Sequence, residues 1–351
     1  MHRDKITVRQ LMAIAFTGGA GVVLALLPDG SVLYGGAASW IAPLAACVPI
    51  GLLIWLFSKL MAACGPEEGL THLFMRVLGT LPGKLVAGAY AGWYTFYAGV
   101  ILRNSGERLM STVYEGGQIG FFLVAMLILA VIGARGHIKA LARSAEVFVL
   151  VLGLLFAIAF LFAIPNINVE NLLPVTYLDT VPVLKTAVPV IHAVSLFAYL
   201  AFLAGGVERR SDTAAVAGRW IFALLVFVTL VLVSVIGTFG AELTGRIQYP
   251  FFAMIRNITI LDIVERIEAE VVVVWVMTDF IFLSALLMAA GEILKTVWKR
   301  REGKPFVWLC ASAALVGALL CAPDAAVLEA ITGRLLPAVN LTLIFGGFIL
   351  I

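Results

Sequence analysis

Charge is what this sequence has least of. Only 13% of its 351 residues are Asp, Glu, Lys or Arg, against 62% hydrophobic, whereas a soluble domain carries about 25% charged residues. A chain so poor in charge cannot coat a water-exposed surface, so its main solvent is expected to be lipid. The net charge of +3 is too small to attract a polyanion, which argues against nucleic acid as a partner. Cysteine is scarce too. Cys47, Cys64, Cys310 and Cys321 lie apart, with no pair at metal-ligand or redox spacing, so neither a metal site nor a disulfide framework is expected and packing is their anticipated role. Glycine-rich phosphate loops, nucleophile elbows and zinc motifs are missing. The polar connections are too short for a soluble catalytic domain. The chain is therefore expected to be no enzyme, to need no cofactor, and to act inside the membrane by transport, conduction or ligand sensing.

What the sequence has in quantity is long apolar runs. The basic opening “MHRDKITVRQLMAIAF” resembles the start of a signal peptide, but its apolar run reaches Leu27 with no small-residue cleavage site, and it reads as a retained span. Crossing the hydrocarbon takes about 20 residues. Ten runs qualify, three of them short: Ile6–Leu27, Ala37–Met61, Gly83–Leu102, Gln118–Ala134, Ala145–Ile164, Val183–Gly206, Gly218–Phe239, Ala269–Lys295, Phe306–Ala322 and Arg334–Ile351. With the N-terminus inside, seventeen Lys and Arg fall in inner segments and seven, including Arg103 and Arg108, in outer ones. That bias predicts an all-α polytopic protein with both termini in the cytoplasm. It forms a single membrane-embedded domain over 1–351, with ten spans dividing into repeats of about 6–164 and 183–351.

Polar and flexible residues inside the spans mark the candidate site. The first span carries “TGGAG”, with Gly18, Gly19 and Gly21. Glycine weakens a helix by about 1 kcal/mol relative to alanine, so the patch favours either unwinding around a substrate, as in inverted-repeat transporters, or close packing on a neighbour. The sixth span offers Pro189, then His192, Ser195 and Tyr199 at spacings that share one helical face. His192 is either a ligand contact or a neutral histidine hydrogen-bonded within the bundle. Asp279, about ten residues into the eighth span and beside Thr278, has no Lys or Arg within a turn. It must find a partner on another helix, a proton or a cation, and is the candidate for ion or proton coupling. In the third span Tyr90, Tyr94 and Tyr97 share a face beside Trp93, too deep for an interfacial belt alone. Before the eighth span, “QYPFFAMIRNITILDIVERIEA” places Pro250 to start a short helix and aligns Phe251, Met254, Ile255, Ile258 and Leu261 as an apolar stripe. Thr259 with Asp262 marks a new helix start. Arg256, Asp262, Glu265 and Arg266 make the segment amphipathic, either a solvated interfacial helix or a lid over the outer mouth.

This last stretch also carries a resemblance. “YPFF”, the “ERIEA” that follows and “VVVVWVMTDF”, taken with the “ITVRQL” opening, the glycine patch, the length and the ten runs, resemble the spore germination permease family, the B subunits of germinant receptors. The resemblance implies membership of the amino acid–polyamine–organocation superfamily. The implied fold is LeuT-like, a five-plus-five inverted repeat with broken first and sixth helices. It further implies a location in the spore inner membrane and partnership with an A-type and a lipoprotein C-type subunit. The implied function is recognition of a small nutrient, an amino acid in particular, that triggers germination. Two other functions stay open: a proton- or cation-coupled amino-acid transporter and a subunit of a ligand-gated ion channel. The expected ligand site joins Gly18, Gly19 and Gly21 with Tyr94, Tyr97, His192, Ser195, Tyr199 and Thr278. Three departures fall where ligand and ion contacts are expected, one of them Asp279, an acid the family pattern does not lead one to expect there. Tyr199 stands where many members carry an acidic residue, and Phe282 where many carry a lysine.

Overall fold

The computed structural model describes residues 5–65, 67–112, 118–208, 212–257, 268–320 and 325–349. Thirteen α-helices are present among the described residues: α1 Val8–Gly35, α2 Ala42–Ala63, α3 Leu70–Val77, α4 Thr80–Thr112, α5 Ile119–Arg135, α6 Ile138–Ala163, α7 Thr180–Ser195, α8 Thr213–Thr244, α9 Pro250–Arg256, α10 Glu268–Val297, α11 Lys304–Leu320, α12 Ala325–Ala330 and α13 Leu336–Ile349. Nine of the ten expected runs lie mainly on one α-helix each, the run Val183–Gly206 is shared between α7 and the 3₁₀ segment that follows it, and α3, α9 and α12 are short additions. Seven helical stretches are long and apolar enough to cross a membrane, the first of which, Val8–Ala63, contains both α1 and α2; α5 and α11 are apolar but shorter. Large apolar side chains point outward along these helices, Val48 at 80% exposed and Phe121 at 72% among them. An apolar exterior this extensive belongs in lipid, and the protein is a multi-pass membrane protein.

Helix α1 lies at the centre, packed against α6, α7, α8 and α10. Its start is fixed by a capping box, in which Thr7 Oγ1 accepts from Gln10 N at 3.3 Å and Gln10 Oε1 accepts from Thr7 N at 3.1 Å. The first helix is not broken: its backbone stays α-helical through Thr17–Gly21. Close approach of the neighbours is the physical reason. A Cβ on Gly18 would stand 3.0 Å from the Phe282 ring, one on Gly19 3.0 Å from Leu224 Cδ2, and one on Gly21 2.5 Å from Thr278 Oγ1. The glycines let α8 and α10 pack directly on the α1 backbone, which is the packing alternative of the two the patch allows.

The sixth span does change winding. Helix α7 ends at Ser195 and the chain continues as a 3₁₀ helix over Leu196–Gly206, with Leu196–Ala204 buried. Such a run is long for this geometry, in which residues i and i+3 eclipse. The C-terminal end of that segment is tied to the start of α1. Ile6 N donates to Gly206 O at 2.9 Å and Glu208 N to Ile6 O at 2.8 Å. Residues 6 and 207 thus lie side by side as an isolated parallel bridge. A second irregularity lies in α8, where Gly240 adopts φ 73°, a conformation that suits glycine. The carbonyl of Gly237, one turn earlier, accepts instead from Asn168 N at 2.9 Å and Asn171 Nδ2 at 2.8 Å in the loop before α7.

The tight crossing at Gly21 makes a test. Gly21→Ala places a methyl 2.5 Å from Thr278 Oγ1 and 2.7 Å from its Cβ, an overpacking expected to destabilise by about 1–3 kcal/mol. Thr278→Gly in the same chain is expected to recover part of that loss. Thermal unfolding in detergent measures both, and a Gly21→Ala protein as stable as the parent is the contrary outcome.

Candidate functional site

A buried polar cluster forms where α4, the sixth span and α13 meet. Tyr90, Tyr94 and Tyr97 lie at helical spacing on one face of α4, each nearly devoid of solvent contact. The 3₁₀ winding stacks Tyr199 and Phe202 on one face of the opposing segment, and the two sets interdigitate. The Tyr94 and Tyr199 rings are 4.6 Å apart, Tyr94 and Phe202 5.6 Å, and Tyr90 and Phe202 5.1 Å. Asn340, from the middle of α13 and 0% exposed, is the hub. Its Oδ1 accepts from Trp93 Nε1 at 2.6 Å and from the Tyr199 hydroxyl, and its Nδ2 is 3.4 Å from His192 Nδ1. An indole N–H can only donate, so the amide oxygen must face Trp93 and the NH₂ must face His192. His192 Nδ1 is then an acceptor, and the ring proton is held on Nε2.

The structure joins some of the expected residues and separates others. His192, Tyr199, Tyr94 and Tyr97 come together, with Tyr97 6.3 Å from His192 and 6.4 Å from Tyr199 between ring centres. Gly18 joins them through Phe282, whose ring packs 5.4 Å from Tyr97. Beside Phe282 and Tyr199 lies a small apolar pocket, lined also by Ile14, Ala15, Leu196 and Ala285. Ser195 is buried at the point where the winding changes. The change of winding rotates Tyr199 relative to it, and Ser195 Oγ donates to His192 O at 3.0 Å within its own helix. Gly19 faces Leu224 and the Ala193 carbonyl. Gly21 and Thr278 contact each other one turn further out, with Thr278 Oγ1 donating to Trp275 O at 3.0 Å. Asn340 and Trp93 complete the cluster. A lone amide in the apolar run “PAVNLTLIF” was the available signal for Asn340.

Asp279 finds its partner on another helix. Arg108, counted by sequence among outer-loop cations, lies within α4, which continues ten residues past the expected end at Leu102. Its guanidinium is hydrogen-bonded to Asp279 Oδ2, the two side chains being 4% and 8% exposed. Arg108 also stacks on Trp275 at 5.3 Å, and Trp275 packs in turn against Phe252 at 5.5 Å and Tyr249 at 5.7 Å. The “YPFF” block is therefore built into the bundle. Pro250 opens α9, and Phe251, Met254 and Ile255 are buried against α1, α6, α8 and α10. Arg256 is exposed at its end; Asp262, Glu265 and Arg266 lie outside the described residues, as do Ile258, Thr259 and Leu261.

Known proteins of the same shape place this architecture. The chain aligns over 98% of its length with a Na⁺-coupled sialic acid symporter in a substrate-bound outward-open state, at TM-score 0.67 and 10% identity, covering 80% of that chain. It aligns equally far with MhsT in complex with L-phenylalanine, at TM-score 0.67 and 13% identity, covering 89% of that chain. The fold is LeuT-like, a helical membrane-transporter architecture. Within it the chain belongs to the spore germination protein family, which it matches over residues 5–326. Spore germination protein KB of Bacillus subtilis (strain 168) is 25% identical over 309 residues, 86% of this chain and 81% of that protein.

The Arg108–Asp279 pair is open to a double-mutant test. Asp279→Ala leaves a guanidinium buried without its counter-ion and is expected to destabilise by about 3–5 kcal/mol. Combining Arg108→Met with Asp279→Leu removes both charges and is expected to restore most of that loss. Unfolding of the four proteins in detergent gives the coupling. Additive single losses would mean that the two charges act independently.

Proposed function

We propose that the chain is the membrane subunit of a spore germinant receptor, binding a small nutrient, an amino acid in particular, and triggering germination. The observation that carries this reading is the buried cluster of His192, Tyr199, Asn340 and Trp93, held between helices of a LeuT-like fold in a chain of the spore germination protein family. Fixed donors and acceptors in an apolar surround suit a small zwitterion, and the adjoining apolar pocket would have to widen to admit a side chain. On this reading the chain crosses the membrane ten times, with both termini in the cytoplasm and two five-span repeats over about 6–164 and 183–351. It sits in the spore inner membrane with A-type and C-type receptor subunits. Binding shifts a two-state equilibrium, and the partners read the shift.

A second reading, a proton- or cation-coupled amino-acid transporter, is favoured by the likeness to two transporters, one described as Na⁺-coupled and one bound to L-phenylalanine. Against a free coupling carboxylate stands the pairing of Asp279 with Arg108. Uptake of labelled amino acid into vesicles holding this chain alone separates transport from sensing.

A thermal-stability screen of the purified protein against amino acids, sugars and nucleosides tests the receptor reading. A ligand at 100 times its dissociation constant stabilises by about 2.7 kcal/mol, so an amino acid is expected to raise the melting temperature. Tyr199→Phe removes one hydroxyl and keeps the ring, and is expected to weaken that response about tenfold in ligand concentration. A response unchanged by both Tyr199→Phe and His192→Gln counts against this site.

A further inference from the structure

A different part of the molecule carries a second binding function. Immediately after α10 the chain reads “WKRREGK”, Trp298 to Lys304. Trp298 is 63% exposed, and Lys299, Arg300, Arg301 and Lys304 are all exposed. Among the described residues none of these four cations takes part in an ion pair, whereas Lys295, a turn earlier, is held by Glu292 at 2.7 Å. The only acid within the run is Glu302, so four positive charges face one negative.

The backbone that presents them is specific. Arg300 N donates to Lys295 O at 2.9 Å and Lys299 N to Thr296 O at 3.2 Å, the pair of bonds that closes a helix in a Schellman motif. The motif requires a left-handed residue at Lys299, which has φ 52°. That position favours glycine, since a Cβ there is strained. Here it holds a lysine, and Arg300 and Arg301 beyond the stop are exposed. The fold thus accepts local strain to keep a cation in place.

The level of this patch follows from the length of α10. Thirty residues at 1.5 Å each make about 45 Å, close to the thickness of a bilayer with its headgroups, about 40–45 Å. With its apolar window in the hydrocarbon, a helix of that length ends in the headgroup layer. The surroundings match that depth. Trp298 packs against Phe306 at 6.4 Å between ring centres, and Arg135 at the end of α5 lies over the Trp308 ring at 5.3 Å. Indole rings beside cations are what a membrane–water interface selects. Guanidinium groups bind phosphate through two parallel hydrogen bonds.

We infer that Lys299, Arg300, Arg301 and Lys304, with Trp298 as anchor, form a headgroup site for anionic phospholipid. The phosphate of the headgroup engages the arginines, and the lipid's net negative charge answers the excess of cations. A protein partner with an acidic face would need the same charges, but it would not need the indole at headgroup depth.

The full-length protein in neutral detergent, titrated with short-chain phosphatidylglycerol, phosphatidylcholine or inorganic phosphate and followed by thermal shift, tests the site. Phosphatidylglycerol is expected to bind at least tenfold more tightly than phosphatidylcholine, and inorganic phosphate to give no comparable shift. Each cation removed is expected to weaken phosphatidylglycerol binding about fivefold, and changing all four to Gln to abolish the preference. Lys299→Gly guards against loss of fold, because glycine suits the left-handed position. It is expected to leave the melting temperature without lipid equal or higher while lowering the affinity for phosphatidylglycerol about fivefold. The inference is overturned if the fourfold variant keeps its preference, or if Lys299→Gly leaves the affinity unchanged. It is also overturned if inorganic phosphate matches the lipid, or if the fourfold variant loses a protein partner while keeping lipid binding.

Discussion

The structure depends on the absence of side chains at one crossing. Gly18, Gly19 and Gly21 let Phe282, Leu224 and Thr278 rest on the backbone of α1. In lipid no hydrophobic force draws helices together, so association rests on packing and on buried polar contacts. Close contact at the glycine patch brings α8 and α10 within reach of the centre. From there α10 carries Phe282 to Tyr97 and Asp279 to Arg108. The buried ion pair and the contact of Phe282 with Tyr97 both follow from that approach.

The two polar features differ in kind. In the Asn340 network an amide holds two donors and a histidine in one arrangement, without net charge. The Arg108–Asp279 pair is an ionic bond across α4 and α10, under the roof of Trp275, Phe252 and Tyr249. A buried ion pair adds little to stability relative to apolar packing, but loss of either member is severe. It therefore constrains which helices face one another more than it strengthens the bundle. Because Asp279 is neutralised in place, the eighth span needs no cation there to stay buried.

Much of this was legible in the sequence. The apolar runs fall on helical segments because lipid demands backbone that satisfies its own hydrogen bonds. The tyrosine face of α4 followed from helical spacing, and Pro250 marked the start of α9. Other features turned on tertiary contacts that spacing does not encode. The glycine patch permitted two outcomes, and the neighbours that decide between them lie more than 200 residues away at Leu224 and Phe282. The partner of Asp279 was hidden because α4 outlasts its apolar run, so that Arg108 looked like a loop residue. The turn of Tyr199 relative to Ser195 arises from a change of helical winding inside “VSLFAYL”, which has no breaker to announce it.

That change of winding has a mechanical side. Over eleven residues, a 3₁₀ helix rises about 2.0 Å per residue and an α-helix about 1.5 Å. The segment is therefore about 5.5 Å longer than its α-helical equivalent. Its C-terminal end is pinned to Ile6, so an exchange between the two windings would be taken up at the other end, as a piston stroke of about one helical turn along the segment. Tyr199 and Phe202 would rotate out of the tyrosine stack as the piston moved. In this segment length and side-chain direction are one coordinate.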